Sequence, residues 1–346
     1  MEQQLAALGN PARTPGSLSL ASLGRIDTAG ASLLSEYLGP DALGRLAGEA
    51  RELADETRRL IQAVADAMAR YPASPTPERS RLREALARVG REMEAFGGLL
   101  WQLLGFIGLT LATLGSIALR PRRWRVTAFV AAVQDTGLNA LPIVALLTFM
   151  VGAVVAFLGA TILEDFGATI YTVNLVAFSF LREFGVLLAA ILLAGRTASS
   201  FTAHIGAMKV NEELDALRAL GLSPIELLVV PRVLAMMVSL PILTFVGMMA
   251  GLLGGALVCV VSLDISVTQF LAIVERDIAL RHFLVGLSKA PIFAFLIAVI
   301  GCLEGFKVSG SAQSVGEHTT ASVVQSIFTV ILLDAVGALF FMEMGW

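Results

Sequence analysis

Charged side chains are scarce in this sequence. Asp, Glu, Lys and Arg make up 15% of the 346 residues, hydrophobic residues make up 56%, and the mean hydropathy is +0.78, whereas a soluble protein carries about 25% charged residues. The shortage is local, since 29 of the first 125 residues are charged but only 24 of the remaining 221. The composition excludes a soluble enzyme and a nucleic-acid binder with a basic face. It predicts a polytopic membrane domain that follows a soluble or interfacial N-terminal third.

Cysteine, lysine and histidine are rare as well. Cys259 and Cys302 lie far apart in apolar runs, which excludes a disulfide framework. None of the three lysines follows glycine in a G-x-x-x-x-G-K-[ST] loop, and the sequence has no H-E-x-x-H or G-x-S-x-G motif. We therefore predict no enzyme activity, no cofactor and no metal site. Uphill transport by this chain would take its energy from an ion gradient or from an ATPase in another chain.

The sequence pattern divides the first 96 residues into two regions, 1–40 and 41–96. Residues 1–16 contain no apolar signal-peptide run, so the N-terminus is predicted to be cytoplasmic. Residues 1–40 predict a short strand at 17–20 and then a helix. Residues 41–96 predict two charged helices, 41–70 and 78–94, with a proline-rich linker between them.

A run of 25 uncharged residues separates Glu94 from Arg120 and is long enough to cross a bilayer. Four arginines follow within 120–125, and no export signal precedes the run, so both of its ends are predicted to be cytoplasmic. The sequence therefore predicts an interfacial helix at 99–119 that does not span the membrane.

Five membrane spans are predicted in the rest of the chain, which we treat as an all-α domain over 97–346. The Lys and Arg of the connecting segments divide nine against two between the two sides, which places the N-terminus inside and the C-terminus outside. An odd number of spans leaves no inverted repeat in one chain, so a symmetric pore requires a second copy. The spans are about 137–163, 168–195, 233–263, 283–303 and 321–342.

Four charged residues fall inside these spans, and their charges sum to zero: Arg182, Glu183, Lys289 and Asp334. Each would cost about 2.5–3.5 kcal/mol if it had no partner. Helical rise places Lys289 roughly 9 Å and Asp334 roughly 12 Å from the outer ends of their spans. We predict that these two residues pair and line a cavity in the outer leaflet, and a pair that only holds the bundle together remains the alternative.

The connection from 196 to 232 contains a predicted amphipathic helix at 210–220, with leucines 214, 217 and 220 on one face. Gly221 ends the helix, and Glu212, Glu213 and Asp215 add negative charge. Such a helix suits docking into a groove of a partner protein. Packing of the same helix on its own bundle remains open.

Glycines recur at every fourth position in the third span, at 247, 251 and 255. This spacing allows close approach of two helices. It favours packing within one chain over a seam between two copies.

Four ordered blocks carry a family resemblance: LREFG at 181–185, LAGR at 193–196, GAMKVNEELDAL at 206–217 and VVPRVLA at 229–235. Together they resemble the MlaE (YrbE-type) permease family over about residues 99–346. One departure is visible, because the family usually has Gly-Pro after the Arg-Glu pair whereas Gly185 is followed here by Val186. A helix kink that depends on that proline is therefore not expected on sequence grounds.

The resemblance implies a homodimer in the bacterial inner membrane that works with a cytoplasmic ABC ATPase and a periplasmic MCE-domain protein. Such a complex moves phospholipids between the inner and outer membranes. The resemblance also implies that 99–119 is the interfacial helix and that 210–220 is the coupling helix. The residues implied in coupling are Glu212, Glu213, Leu214, Asp215, Leu217 and Gly221. Those implied near the lipid cavity are Arg182, Glu183, Lys289 and Asp334.

A second resemblance is short. Asp27, Thr28, Ala29 and Gly30 resemble the Asp-[Ser/Thr]-Ala-Gly signature of a STAS domain. The resemblance implies a partial STAS-like segment over 1–40, and a separate STAS protein is a candidate partner. Only 26 residues precede Asp27, too few for the strands that such a domain usually places first. A chance helix cap is the alternative.

Two other functional classes remain open from the sequence. The first is an ATP-independent secondary carrier that uses Glu183 or Asp334 as a proton site. The second is a membrane scaffold that transports nothing and recruits partners through its N-terminal region.

Overall fold

The computed structural model describes residues 26–50, 53–70, 81–118, 120 and 125–345. Every regular element within these ranges is a helix, which confirms the all-α prediction for the part of the chain that is described. The chain divides into two compact units, Met1–Gly90 and Arg91–Trp346.

Three described helices lie wholly within the first unit: α1 (Thr28–Leu38), α2 (Pro40–Glu49) and α3 (Asp55–Arg70). They enclose a small core of apolar side chains. Its buried members are Ala31, Leu43, Ala47, Leu53 and Ile61.

The single charged helix predicted at 41–70 is divided into α2 and α3, so that prediction is wrong at its centre. Arg58, in the first turns of α3, explains how the chain can break there. Its Nη2 donates hydrogen bonds to the carbonyl oxygens of Ala50 (2.9 Å) and Leu53 (3.2 Å). The carbonyl group of Ala50, the C-cap of α2, is therefore satisfied by a side chain.

Asp27 is the N-cap of α1. Its Oδ1 accepts a hydrogen bond of 2.8 Å from the backbone N–H of Gly30, the usual role of aspartate at a helix start. The strand predicted at 17–20 lies outside the described residues, and residues 26–50 and 53–70 contain no strand. The STAS-like segment is therefore not confirmed, and the geometry at Asp27 is that of the alternative, a helix cap.

The helix α4 (Arg81–Ala118) is continuous over 38 residues. The sequence predicted two helices here, at 78–94 and 99–119. No proline lies between them, and the Gly97-Gly98 pair is accommodated within the helix without a break. Glycine lowers helix stability by roughly 1 kcal/mol, which is too little to end a helix of this length.

The remaining helices follow in chain order. They are α5 (Val126–Thr136), α6 (Leu141–Glu164), α7 (Tyr171–Ser179), α8 (Gly185–Leu193), α9 (Ser199–Val210), α10 (Glu213–Ala219), α11 (Val230–Ser262), α12 (Val267–Asp277), α13 (Leu280–Lys307) and α14 (Ala312–Glu343). Two π-helical turns, Phe180–Phe184 and Ala194–Ala198, join α7, α8 and α9 into one long helix, and a third, Ile225–Val229, leads into α11.

Six helices of the described residues are long and apolar enough to cross a membrane, so the protein is a multi-pass membrane protein. Five of them correspond to the five predicted spans. The sixth, Ala85–Ala118, contains the segment predicted to be interfacial, and only 6% of its apolar window is buried. The count of five spans is therefore not confirmed. The six are Ala85–Ala118, Val126–Glu164, Tyr171–Val210, Ile225–Ser262, Leu280–Lys307 and Ala312–Glu343.

The long helix α11 packs along α6 at the centre of the second unit, and glycines make the approach possible. A Cβ atom at Gly152 would lie 2.0 Å from the carbonyl oxygen of Gly251, and one at Gly254 would lie 2.0 Å from that of Phe149. The predicted repeat faces another helix, because a Cβ atom at Gly251 would lie 2.0 Å from Cδ1 of Phe180 and one at Gly255 would lie 2.5 Å from Cγ1 of Val176. The repeat therefore packs within one chain, which its spacing favoured.

Candidate functional site: an ion cluster inside the helix bundle

Arg182 and Glu183 lie on the π-helical turn Phe180–Phe184, in the middle of the long helix formed by α7, α8 and α9. A π-helical turn inserts an extra residue into a helix and changes the direction of the side chains, and such turns are frequent at functional sites. Gly185 follows at once, and a Cβ atom there would lie 2.5 Å from Cγ of Met248 on α11. The turn is therefore packed against α11, with Val186 and no proline after Gly185.

Lys289, on α13, is the centre of the candidate site. Its Nζ lies 2.5 Å from Oε2 of Glu183 and 3.0 Å from Oδ1 of Asp334 on α14. The second distance confirms the Lys289–Asp334 pair predicted from helical depth. The cavity in the outer leaflet that this pair was predicted to line stays a prediction. Glu183 was predicted to lie in the membrane, but the sequence did not show that it shares Lys289 with Asp334.

Arg182 extends the cluster on the other side of Glu183. Its Nε lies 3.7 Å from Oε1 of Glu183, and its Nη1 lies 3.3 Å from Nδ1 of His282. The guanidinium group also lies over the ring of Phe178, at 5.6 Å from the ring centroid. The four predicted intramembrane charges are thus brought together in one network.

His282 is a member of the network that the sequence analysis missed, because the three histidines were judged only by their mutual spacing. A usable signal was present. His282 precedes Lys289 by seven residues on α13, so the two side chains lie two helical turns apart on one face.

Solvent exposure differs among the members of the cluster. The Lys289 side chain is 5% exposed and Arg182 is 10% exposed, whereas Glu183 is 25% exposed. Burying a charge is costly unless it is paired, so the two buried cations explain why both carboxylates are needed. The arrangement offers ammonium and guanidinium donors beside carboxylates that a ligand could reach, and this suits the recognition of a polar head group.

A second buried ion cluster lies about 22 Å further along α13, given the helical rise over fifteen residues. Glu304 is 2% exposed, and it accepts hydrogen bonds from Nζ of Lys307 (2.8 Å) and Nε2 of Gln325 (3.3 Å). Its other carboxylate oxygen lies 2.7 Å from Nδ1 of His318. The sequence analysis missed this cluster, although the Glu304-x-x-Lys307 spacing is typical of a helical ion pair.

The predicted coupling helix is shorter than expected. The helix α10 begins at Glu213, and Glu212 before it has a left-handed backbone (φ 60°). Gly221 has a φ of 73°, so it ends the segment as predicted.

Leu214 does not belong to an exposed docking face. It is 2% exposed and packs in the bundle's own core, and Leu217 packs partly against the same core. Leu220 is 74% exposed and Leu222 is 42% exposed. The two interpretations of this segment therefore apply to different residues: Leu214 anchors the helix to its own bundle, and the exposed leucines lie further along, beside Gly221.

Glu213, Asp215 and Ala216 are exposed on the same short segment as Leu220. Arg218 Nη1 donates a hydrogen bond of 2.9 Å to Oδ1 of Asp215. A mixed surface of leucine and carboxylate side chains is thus available at this loop.

None of the described residues form a group of three or more His, Cys, Asp or Glu side chains that could hold a metal ion. The two ion clusters combine acids with lysine, arginine and single histidines. Their chemistry is that of fixed charges and hydrogen-bond donors.

The sequence is similar to known membrane transport proteins. Residues 129–340 match the family model described as Permease MlaE. A probable ABC transporter permease protein of Rickettsia typhi is 37% identical over 196 residues, which cover 57% of this chain and 76% of the relative. A probable ABC transporter permease protein of Synechocystis is 40% identical over 167 residues, which cover 48% of this chain and 64% of the relative.

A plant relative matches as well. The chloroplast protein TRIGALACTOSYLDIACYLGLYCEROL 1 of Arabidopsis thaliana is 34% identical over 170 residues, which cover 49% of each chain. The family match spans the π-helical turn with Arg182 and Glu183, the α10 segment, and both ion clusters on α13. The chain belongs to the MlaE permease family.

Proposed function

We propose that this chain is the permease subunit of an ABC-type phospholipid transporter in the bacterial inner membrane. It works as a homodimer and is energised by an ATPase in another chain. With a periplasmic MCE-domain protein, it moves phospholipids between the inner and outer membranes. The observation that carries the proposal is the Lys289 ion cluster, which lies inside an apolar bundle and has two partly exposed carboxylates.

The chemistry of the cluster matches an amphiphilic substrate. Acyl chains require hydrocarbon walls, and a phosphate requires positively charged donors, which Lys289 and Arg182 can supply. In the structure both cations are balanced by Glu183 and Asp334. A lipid phosphate would compete with these carboxylates, so binding and release become an exchange between partners of similar charge. Such an exchange keeps the two buried cations paired, and the displaced Glu183, which is 25% exposed, can be hydrated.

The loop around α10 supports the proposed ATPase contact. Leu220 is 74% exposed beside acidic side chains, while Leu214 fixes the helix to the core. A movement imposed on the exposed part would therefore be transmitted to the bundle through a packed residue. The distribution of Lys and Arg supports a cytoplasmic position for this loop and a periplasmic position for the C-terminus.

The surface of α14 supports a second copy. Only 11% of its apolar window is buried within one chain, and its outward side chains include Phe328, Leu332 and Val336. This helix also carries Asp334. A second copy that packs near α14 would enclose the Lys289 cluster between two chains.

The first experiment is purification of the chain from its native membrane in mild detergent, followed by identification of co-eluting proteins and an assay of ATP hydrolysis. We expect a stoichiometric ATPase, an MCE-domain protein and bound phospholipid. A chain that elutes alone, and that transports under a proton gradient without ATP, would contradict the proposal. That result would favour a carrier that uses Glu183 or Asp334.

A pair of variants tests the coupling surface. Leu220→Glu is expected to abolish lipid-stimulated ATP hydrolysis while the complex still inserts and elutes normally. The matched control is Leu271→Glu on α12, where the leucine is 59% exposed and far from the loop in sequence. Equal ATP hydrolysis in both variants would refute the docking assignment. Leu214→Glu is unsuitable, because burial of a charge at that position would test folding.

A further inference from the structure

A cavity of about 760 Å³ lies between the last turns of α4, the start of α5 and the start of α11. Its volume falls within the range of roughly 300–1,000 Å³ that is usual for small-molecule sites. The cavity shares no residue with the Lys289 cluster. Its lining residues are Leu111, Leu114, Gly115, Ile117, Ala118, Arg125, Val126, Phe129, Glu226, Val230, Pro231, Leu234, Met237 and Val238.

The lining is apolar except at two positions, Arg125 and Glu226. Both are at the beginning of an element, since Arg125 precedes α5 and Glu226 lies on the π-helical turn before α11. The apolar walls therefore run into the bundle from a rim that carries charge. This division suits a molecule with a hydrocarbon part and a polar head.

The cavity is open to the surroundings of the protein. Leu111 is 53% exposed, Val126 is 58% exposed and Val238 is 44% exposed. These three side chains come from the three different helices that form the walls. A molecule in the surrounding bilayer could therefore enter from the side.

The packing of α4 also indicates that the cavity is filled in the membrane. Only 6% of the apolar window of Ala85–Ala118 is buried, although Leu114 packs partly against the main core. Side chains that line an apolar gap between α4 and its neighbours lack dispersion contacts with atoms on the other side of the gap. An acyl chain in the gap would restore those contacts and hold the end of α4 against α11.

We propose that this cavity binds a phospholipid taken from the surrounding leaflet, with an acyl chain between α4 and α11 and the phosphate beside Arg125. Charge supports this choice of occupant, because residues 120–125 contain four arginines and no acid. A basic segment at a membrane surface attracts anionic lipid, and basic pockets between helices bind phosphorylated head groups. On the distribution of Lys and Arg, this is the cytoplasmic leaflet.

This lipid is distinct from the transported lipid of the proposed function. It would stay bound while the Lys289 cluster exchanges its ligand, and it would tie α4 to the helix that follows the α10 loop. The inference therefore stands on the cavity alone and does not require that the chain transport phospholipid.

The test is photo-crosslinking of the purified complex in nanodiscs that contain a phospholipid with a diazirine in its acyl chain. Mass spectrometry then maps the labelled residues. We expect strong labelling within 230–238, and Leu234→Trp should reduce it several-fold because the indole fills the cavity. The matched control is Leu257→Trp on the same helix, where the leucine is 51% exposed and lies outside the cavity.

Labelling of 230–238 that is equal in the Leu234→Trp and Leu257→Trp variants would overturn the proposal, because it would represent ordinary lipid at the protein surface. Labelling of exposed α6 residues such as Leu146, which is 65% exposed and lies outside the cavity, reports that surface lipid, and it should be unchanged in both variants. An absence of labelling within 230–238, in a wild-type complex whose other exposed helix surfaces are labelled, would also overturn it.

A second measurement tests the head-group contact. Native mass spectrometry should show that Arg125→Gln retains less phosphatidylglycerol than the wild-type chain, whereas Arg276→Gln, on α12, retains as much. Diacylglycerol, which lacks the phosphate, should be retained poorly by all three proteins. Undiminished retention of phosphatidylglycerol by the Arg125→Gln variant would refute the role of this arginine.

Discussion

The helix α13 carries two buried ion clusters that are built in opposite ways. Lys289 is a cation held by two acids, Glu183 and Asp334, which lie 106 and 45 residues away in the chain. Glu304 is an acid held by Lys307, three residues away, and by two side chains of α14. The first cluster joins three separate membrane helices, and the second joins α13 only to the helix that follows it.

Exposure separates the clusters further. Glu183 is 25% exposed and Asp334 is 13% exposed around the nearly buried Lys289, whereas Glu304 itself is 2% exposed. In the first cluster the accessible groups are the two carboxylates, which a ligand could displace from the lysine. In the second cluster the accessible groups, Lys307 and His318, surround a carboxylate that a ligand cannot reach. Under the proposed function, this difference favours ligand exchange at the Lys289 cluster and a structural role for the Glu304 cluster.

The largest effect is expected from Lys289→Met. The change leaves Glu183 and Asp334 close together without their shared cation, and breaking a buried ion pair in this way costs about 3–5 kcal/mol. We expect a large drop in the thermal unfolding temperature in detergent and complete loss of lipid transport. Normal stability of this variant would show that the cluster is better hydrated than its burial implies.

A smaller effect is expected from Gly251→Ala, which tests the support beneath the π-helical turn. A Cβ atom at this position would lie 2.0 Å from Cδ1 of Phe180, the first residue of the turn. Overpacking of this kind costs about 1–3 kcal/mol, and displacement of Phe180 should reduce lipid transport in reconstituted vesicles.

The control for that variant is Gly316→Ala on α14, where nothing lies within 4 Å of the added Cβ. It should leave both stability and transport unchanged. If Gly251→Ala also transports normally, the position of Arg182 and Glu183 does not depend on this contact.

Glu304→Gln should have a weaker effect, of about 1 kcal/mol in stability, because glutamine still offers one acceptor and Lys307 can turn towards water. Thermal unfolding in detergent would give the stability change. Transport per folded molecule should equal that of the wild-type chain, which separates this cluster from that of Lys289. A specific loss of transport at normal protein levels would contradict the structural role.

The smallest effect is expected from Asp277→Asn at the end of α12, outside the membrane spans. Hydrogen bonds from Arg276 and then Asn174 hold the pKa of the Asp277 carboxyl below its usual range. A lowered pKa in the folded state stabilises the protein above the unfolded pKa, and that contribution is lost only as the pH falls through the folded value. At neutral pH, thermal unfolding and transport should both match the wild-type chain, because exposed ion pairs contribute little.

The sequence predicted contacts correctly where regular helix geometry relates the residues. Helical rise placed Lys289 and Asp334 at matching depths, and the pair is present at 3.0 Å. The glycine spacing of α11 predicted close packing within the chain, because a glycine every four residues forms a flat strip on any helix.

The sequence did not predict contacts that depend on a departure from regular helix geometry. The π-helical turn brings Glu183 to Lys289, and no proline or cap marks such a turn in the sequence. Glu304 lies one residue beyond the predicted end of the fourth span at 303, so the sequence pattern did not include it among the intramembrane charges. Leu214 and Leu220 are both leucines on one predicted helix face. Tertiary packing, which the sequence pattern does not show, buries Leu214 and leaves Leu220 exposed.

The N-terminal region shows the limit of a short motif. Four residues that resemble a STAS signature also have the composition of a helix start, since aspartate is a preferred N-cap. The side chain of Asp27 bonds to the N–H of Gly30 in the structure, and this one contact accounts for the motif locally.

The central claim is that the Lys289 cluster serves transport, and a neutral replacement tests it most directly. Lys289→Met and Asp334→Asn together remove one charge of each sign and leave Glu183 paired with Arg182, so the fold should survive, because neutral replacement of a buried ion pair is often tolerated. Arg182 also keeps its contacts to His282 and Phe178. Reconstituted with its ATPase, the double variant is predicted to elute normally and to move no phospholipid. Transport at the wild-type rate would show that the cluster only holds the helices together, and it would contradict the account.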